Sequence, residues 1–234
     1  MRKIPHFHDI IFELSDELKY EIKKRVVTRS YKAGDIVLAQ GQVVKDTYRV
    51  DSGKVKISSY TEDGREIILS NLNVGDTFGE NGVLDGIPSL YGVECLTDTV
   101  MSVVPGEEFL QPYHQYPECA YALANKLNRQ LRIFYELLLE AKAMPLQKRI
   151  VSKIFRGLHS HTSEDEKGVY VDMSQDELAR MLGTARQSLN RELKKLEAMG
   201  YITIEQGRVY YSNLEAMRED FKDIFHEDFM TPYY

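Results

Sequence analysis

The sequence predicts an α+β protein: an N-terminal antiparallel β-roll of jelly-roll type, one long helix, and a C-terminal winged helix-turn-helix. Three observations carry that expectation. Between residues 30 and 104, short β-branched and aromatic runs alternate with glycine turns. From residue 118 to 144 there is no glycine or proline, and apolar residues recur every three or four positions. Residues 173–211 hold two helix starts joined at Gly183, followed by a short hairpin. The implied boundaries are a sensing β-roll domain over 1–116, a helix over 117–144 and a winged-helix domain over 145–234.

Residues 10 to 27 read as helix, because Ile10, Ile11, Leu14, Leu18 and Ile22 recur at three and four, with a second start at Ser15-Asp16-Glu17. The strand candidates that follow are 36–38, 48–50, 55–60, 67–70 and 101–104. Asp63-Gly64 between Tyr60 and Ile67 signals a hairpin. Regular short strands with turn signals between them suggest a closed or rolled antiparallel sheet.

In the long helix, Ala120, Leu123, Leu127, Leu131, Phe134, Leu138 and Ala141 average a spacing close to that of a coiled-coil seam. Homodimerisation is the favoured reading; an internal helix packed on the roll is the alternative. Pro145 lacks an N–H and clashes with the preceding turn, so Met144-Pro145 marks a hinge before a helix over 146–158. The polar stretch 159–168 reads as a loop.

Ser174 and Glu177 form an S-x-x-E capping box, and Thr184 and Gln187 form a T-x-x-Q box one residue after Gly183. In the second helix, Leu189, Leu193 and Leu196 lie within about 60° of one another at roughly 100° per residue, facing a core. Gln187, Arg191 and Lys194 fall opposite, with Arg186 on the flank. Arginine pairs with guanine O6 and N7, and glutamine with adenine N6 and N7. Thr184, Ser188 and Lys195 suit phosphate oxygens, and Ser174 and Asn190 complete the candidate DNA-binding set. From 180 to 208 six basic residues (180, 186, 191, 194, 195, 208) face three acidic ones (192, 197, 205), within a chain of net charge −6. Attraction to phosphate is therefore concentrated here. Residues 201–204 and 209–211 around Gln206-Gly207 form the wing hairpin. Ser212 or Asn213 caps a final helix from Leu214, whose acidity argues against DNA and whose Met217, Phe221 and Phe225 suggest packing.

No apolar run spans a bilayer and the N-terminus lacks a signal-peptide core, so the expected location is cytoplasmic, with no membrane partner. Cys95 and Cys119 are too isolated for a disulfide framework, a zinc site or an iron–sulfur cluster, and read as packing residues. His6-x-His8 and His159-x-His161 read as loop residues, so no metal is expected. No nucleophile–base–orienter set or phosphate loop is present, so catalytic residues are assigned to none and an enzyme is disfavoured.

This order of parts resembles the cyclic-AMP receptor protein / fumarate-nitrate regulator family of transcription regulators. The residues that carry the likeness are Tyr31-Lys32-Ala33-Gly34-Asp35, Val50-Asp51-Ser52-Gly53-Lys54-Val55, Gly75-Asp76-Thr77-Phe78-Gly79-Glu80 and the stretch from Gly183 to Arg191. The likeness implies a cyclic-nucleotide-binding-like roll, a homodimer on palindromic double-stranded DNA with recognition helices about 34 Å apart, and RNA polymerase as a partner. It places Arg186, Gln187 and Arg191 at base-reading positions, with Gln187 where many members carry glutamate. It also implies an effector pocket between roll and helix, walled by Gly79, Glu80, Ser89, Leu90, Tyr91, Asn128, Arg129 and Phe134. Cyclic-nucleotide binders in the family follow the Gly-Glu pair with an Arg-Ser or Arg-Thr pair that holds the phosphate. Here that slot reads Pro88-Ser89-Leu90-Tyr91, so the expected effector is an unknown small molecule other than cyclic AMP, with Arg129 as the candidate cation. The alternatives are an effector-independent DNA binder, or a ligand-binding regulatory subunit using the winged helix as a protein interface.

Overall fold

A computed structural model describes residues 14–224, apart from 161, 206 and the side chains of 158–160 and 172. The expected helical positions Ile10 and Ile11, the histidines at 6, 8 and 161, and Phe225 lie outside the described residues. The chain forms two compact units, one ending at Phe134 and one beginning at Tyr135.

The first unit opens with α1 (Asp16–Lys23), which starts after an extended Ser15 and carries Asp16 and Glu17 at its positive end. Then come β1 (Val27–Tyr31), β2 (Ile36–Leu38), β3 (Asp46–Ser52), β4 (Val55–Tyr60), β5 (Glu66–Leu72), β6 (Thr77–Phe78), the short helix α2 (Glu80–Asp85), β7 (Gly92–Cys95) and β8 (Thr99–Pro105). They build two antiparallel four-stranded sheets, ordered β1-β8-β3-β6 and β2-β7-β4-β5. Tyr60 pairs with Glu66 across the Asp63-Gly64 turn, where Gly64 holds φ +79°. Alternate residues point inward, so Tyr48, Val50, Val55, Ile57, Met101 and Val103 share one core.

Five elements here have no counterpart among the sequence expectations: β1, β6, β7, α2 and α3 (Gly106–Gln115). Four of the five residues of β1 are exposed, β6 has two residues, and α3 contains Gly106 and a buried Pro112, both ordinarily helix breakers. The helix α4 (Pro117–Ala143) follows. Its Cys119, Ala122 and Leu123 pack with Leu14, with Leu18 of α1 and against Phe109 and Tyr113 of α3. Burial pushes the thiols of Cys95 and Cys119 up, which keeps both protonated and unreactive.

The second unit holds the end of α4, α5 (Leu146–Ser160), β9 (Thr162–Asp165), β10 (Gly168–Asp172), α6 (Gln175–Leu182), α7 (Arg186–Ala198), β11 (Ile202–Glu205), β12 (Arg208–Tyr211), α8 (Leu214–Asp220) and a 3₁₀ turn at Lys222–Ile224. Helix α4 stops at Ala143 and α5 starts at Leu146, so Pro145 interrupts the helix as its chemistry requires. Across that break Glu140 accepts from the Ser152 hydroxyl at 2.9 Å and from Arg156 at 3.1 Å. The expected loop at 159–168 is corrected: β9 and β10 form a hairpin, and His159 sits in α5. The reason is tertiary. Strand β9 has no apolar alternation, but β10 pairs with β12 and buries Val171, giving a sheet ordered β11-β12-β10-β9. Asp165 then accepts from Tyr210 at 2.9 Å and pairs with Arg208, whose guanidinium lies 4.4 Å from the Tyr170 ring centre.

Leu178, Leu189, Leu193, Leu196, Ile202 and Met217 meet Ile150, Val151 and Ile154 in one core. Asn213 caps α8 by accepting from the Ala216 N–H at 3.1 Å, and Met217 and Phe221 are buried. The Ser174 hydroxyl caps α6, accepting from the Glu177 N–H at 3.1 Å. Ser174→Ala removes that acceptor and should lower stability by about 1 kcal/mol, read as a urea midpoint shift with an unchanged slope. A silent substitution would mean the cap carries no weight.

Candidate nucleic-acid interface and effector site

Helix α6 closes in a Schellman turn. Gly183 adopts the left-handed region at φ +60°, and the Thr184 N–H reaches back to the Ala179 carbonyl at 3.0 Å. This corrects the second capping box. Thr184 is committed to ending α6, so the residue preceding α7 is an extended Ala185, and no side chain caps the helix. The positive end of α7 thus keeps its first-turn N–H groups uncapped by side chains, an arrangement suited to a phosphate oxygen.

Along α7, Leu189, Leu193 and Leu196 are buried, while Arg186, Gln187, Arg191, Lys194 and Lys195 are exposed. Ser188 and Asn190 are half-buried on the flanks, as is Thr184 at the turn. Arg186 pairs with Asp176 at 3.2 Å, an exposed pair that a nucleic acid could displace at little cost. Glu192, buried on the inner flank, is the residue that sequence reasoning missed. It holds Lys195 at 2.9 Å and approaches the Arg191 Nε at 3.4 Å. The Lys195 ammonium keeps its carboxyl below the usual carboxylate range. Its spacing of three from Lys195 was the available signal. Arg191, with 70 % of its side chain exposed, is steadied at its base and free at its tip.

In the first unit, Gly79 holds φ +97°, and a Cβ there would lie 2.6 Å from the Asp46 carbonyl. Only glycine fits, and it delivers Glu80 to the start of α2. Glu80 is buried, and its carboxylate accepts from Lys126 of α4 and from Thr77, while Lys126 also meets the Thr77 hydroxyl. Lys126 is only 2 % exposed. Ser89, also buried, donates to the Tyr91 carbonyl at 2.8 Å. Burial pushes the Tyr91 phenol up to about 12, with the Glu80 charge adding to it. Gly79, Glu80, Ser89 and Tyr91 therefore belong to one neighbourhood. Leu90 points away, 81 % exposed, and Asn128 and Phe134 are exposed on α4, with Arg129 half-buried.

Residues 28–116 match the cyclic nucleotide-binding domain family, and residues 148–220 match the Crp-like helix-turn-helix domain family. The chain belongs to the CRP/FNR family of transcriptional regulators. This CRP/FNR regulator is 27 % identical over 187 residues to the transcriptional regulator LdrP of Thermus thermophilus, covering 80 % of this chain and 92 % of LdrP. It is 26 % identical over 199 residues to a CRP-like cAMP-activated global transcriptional regulator of Mycobacterium tuberculosis, covering 84 % and 88 % of the two chains. A solved CRP/FNR-family regulator from Thermus thermophilus superposes with a TM-score of 0.71 at 26 % identity, over 84 % of this chain and 98 % of that one.

The CRP/FNR regulator thus carries both a DNA-binding helix-turn-helix and a cyclic-nucleotide-binding-type roll. Lys126 of α4 and Thr77 of β6 are the residues around Glu80 that sequence reasoning missed. Lys126 shares a helical stripe with Cys119, Ala122, Leu123 and Gln130, all buried. A charged residue on an apolar stripe signals a buried partner. Among the described residues, no helix is long and apolar enough to cross a membrane, and no group of three metal-binding side chains is assembled.

Proposed function

We propose that this regulator is a homodimer reading a two-fold-symmetric DNA site through Arg186, Gln187 and Arg191, under the control of a small molecule other than cyclic AMP. The observation that carries the reading is the two-faced α7, with leucines buried and arginine, glutamine and lysine exposed. Thr184, Ser188, Lys194, Lys195 and the N-terminus of α7 supply phosphate contacts, with exposed Ser174 as a further hydroxyl, and Asn190 lies beside the base-reading row. Dimerisation is supported by exposed Leu131, Phe134, Tyr135, Leu138 and Leu139, an apolar strip on α4. RNA polymerase and a cytoplasmic location belong to this reading of a transcriptional regulator.

Against cyclic AMP stands the Lys126–Glu80 pair. A carboxylate already neutralised inside the protein has little to offer a sugar hydroxyl, and the stretch after α2 supplies no arginine for a phosphate. The same pair favours a second reading, in which the roll is satisfied without any ligand and DNA binding needs no effector. Small-molecule extract added to a DNA-binding assay separates the two: a changed affinity supports control, an unchanged one supports independence.

The test of the main reading is duplex binding across salt. Log affinity should fall steeply with log salt, by about 0.9 per phosphate neutralised. The wild-type chain should sediment as a dimer. Leu138→Glu should give monomers that bind the duplex at least about tenfold more weakly, since one reading head replaces two. Salt-independent binding, or a wild-type monomer, would overturn it.

A further inference from the structure

A cavity of about 580 Å³ lies on the outer face of the β1-β8-β3-β6 sheet, against α1 and α3. It shares only Glu80 with the pocket implied by family resemblance. Its walls are apolar. Ile22 comes from α1, Val26 from the turn after it, Val104 from β8, and Phe109, Pro112 and Tyr113 from α3. All but Pro112 are only half-buried, so each keeps apolar surface that an occupant would take out of water. Phe109 and Tyr113 hold their ring centres 4.5 Å apart with the planes tilted by 45°.

The polar floor decides the chemistry of that occupant, because its groups are spent on one another. Ser102 donates to Asp51 at 2.6 Å, and Arg49 pairs with Asp51 and is engaged beyond it. Thr77 donates to Glu80, whose carboxylate also takes Lys126. Thr47 donates to the Val104 carbonyl at 3.4 Å. Arg25 is matched by Glu21 and Glu108, and Lys19 by Asp16. Of the polar lining groups, only Lys23 and Thr28 lack a partner among the described residues, and both are exposed. An anion drawn onto the floor would leave water for groups already taken. An organic cation would meet Lys19, Lys23 and Arg25.

The volume falls within the range of small-molecule sites, about 300–1,000 Å³. We propose that the cavity binds an uncharged aromatic molecule, its ring system against Phe109 and Tyr113 and the rest of its surface on Ile22, Val26 and Val104. Contact with that tilted ring pair favours an aromatic over an alkyl chain of equal area. Phe109 and Tyr113, with Leu18 of α1, also pack against Cys119, Ala122 and Leu123 of α4, so the occupant touches the elements that seat the first half of the long helix. As an effector site it rests on the regulatory reading above; as a binding site it does not.

Two dyes that share one skeleton test it on the full chain without DNA. N-phenyl-1-naphthylamine is uncharged, 8-anilino-1-naphthalenesulfonate adds one anionic group, and both brighten on leaving water. The amine should bind saturably, and the sulfonate at least about tenfold more weakly, since its charge finds no free partner on the floor. Val104→Trp, which fills the cavity from the sheet, should abolish binding of the amine. Val26→Trp, which fills it from the α1 side, should do the same and decides the matter if Val104→Trp does not fold. No saturable binding of the amine, a sulfonate bound as tightly, or binding that survives in a folded tryptophan variant would overturn the proposal. Amine binding by a chain that ignores DNA would sink the regulatory reading and leave this site standing; a chain that binds DNA and not the amine would do the reverse.

Discussion

Lys126→Met lowers the stability of the first unit by about 3–5 kcal/mol, because it strands the buried Glu80 carboxylate without its cation. The loss is read by urea unfolding followed at both ends of the transition. Salt should not relieve it, since a pair this buried is poorly screened. The double variant Glu80→Gln with Lys126→Met should recover most of the loss, as replacing both members of a buried pair commonly does. A loss below about 1 kcal/mol in the single variant would place Lys126 in contact with water and remove the central argument against cyclic AMP.

Arg191→Ala weakens binding to the preferred duplex by about 1–3 kcal/mol per half-site and relaxes selectivity at the base it reads. Lys195→Ala instead weakens all duplexes alike and lowers the salt slope by about one per half-site. Selection from a random pool distinguishes the two signatures. Gln187→Glu should move the preference at its position from adenine toward cytosine, because a carboxylate accepts and cannot donate. Identical selected sequences for wild type and Arg191→Ala would remove Arg191 from the reading surface.

The helix-turn-helix was legible because its signals are local. Gly183 breaks α6 where only a left-handed residue can, and Leu189, Leu193 and Leu196 write the inner face of α7 into their spacing. The Thr184 box was misread for the same reason. Local pattern cannot show that the Thr184 N–H is already used to close the preceding helix. In the roll, strands with inward alternation were visible, whereas β1 owes its existence to the distant β8; in the second unit, β9 owes its to a hairpin with β10, which is itself held by β12. The effector region was the least legible. Glu80 and Lys126 lie 46 positions apart, and although the apolar stripe around Lys126 calls for a buried partner, nothing local says that it is Glu80. On α4 the expected seam divides in the structure: Leu123 is buried, while Leu131, Phe134 and Leu138 are exposed.

Glu140 gives the proline break a mechanical meaning. By gripping Ser152 and Arg156 it pins the middle of α5 to the last turn of α4. The kink then behaves as a bracket more than as a swivel: bending there would have to peel a carboxylate off two donors at once. Glu140→Gln, which takes the charge out of both bonds, should let the corner slacken.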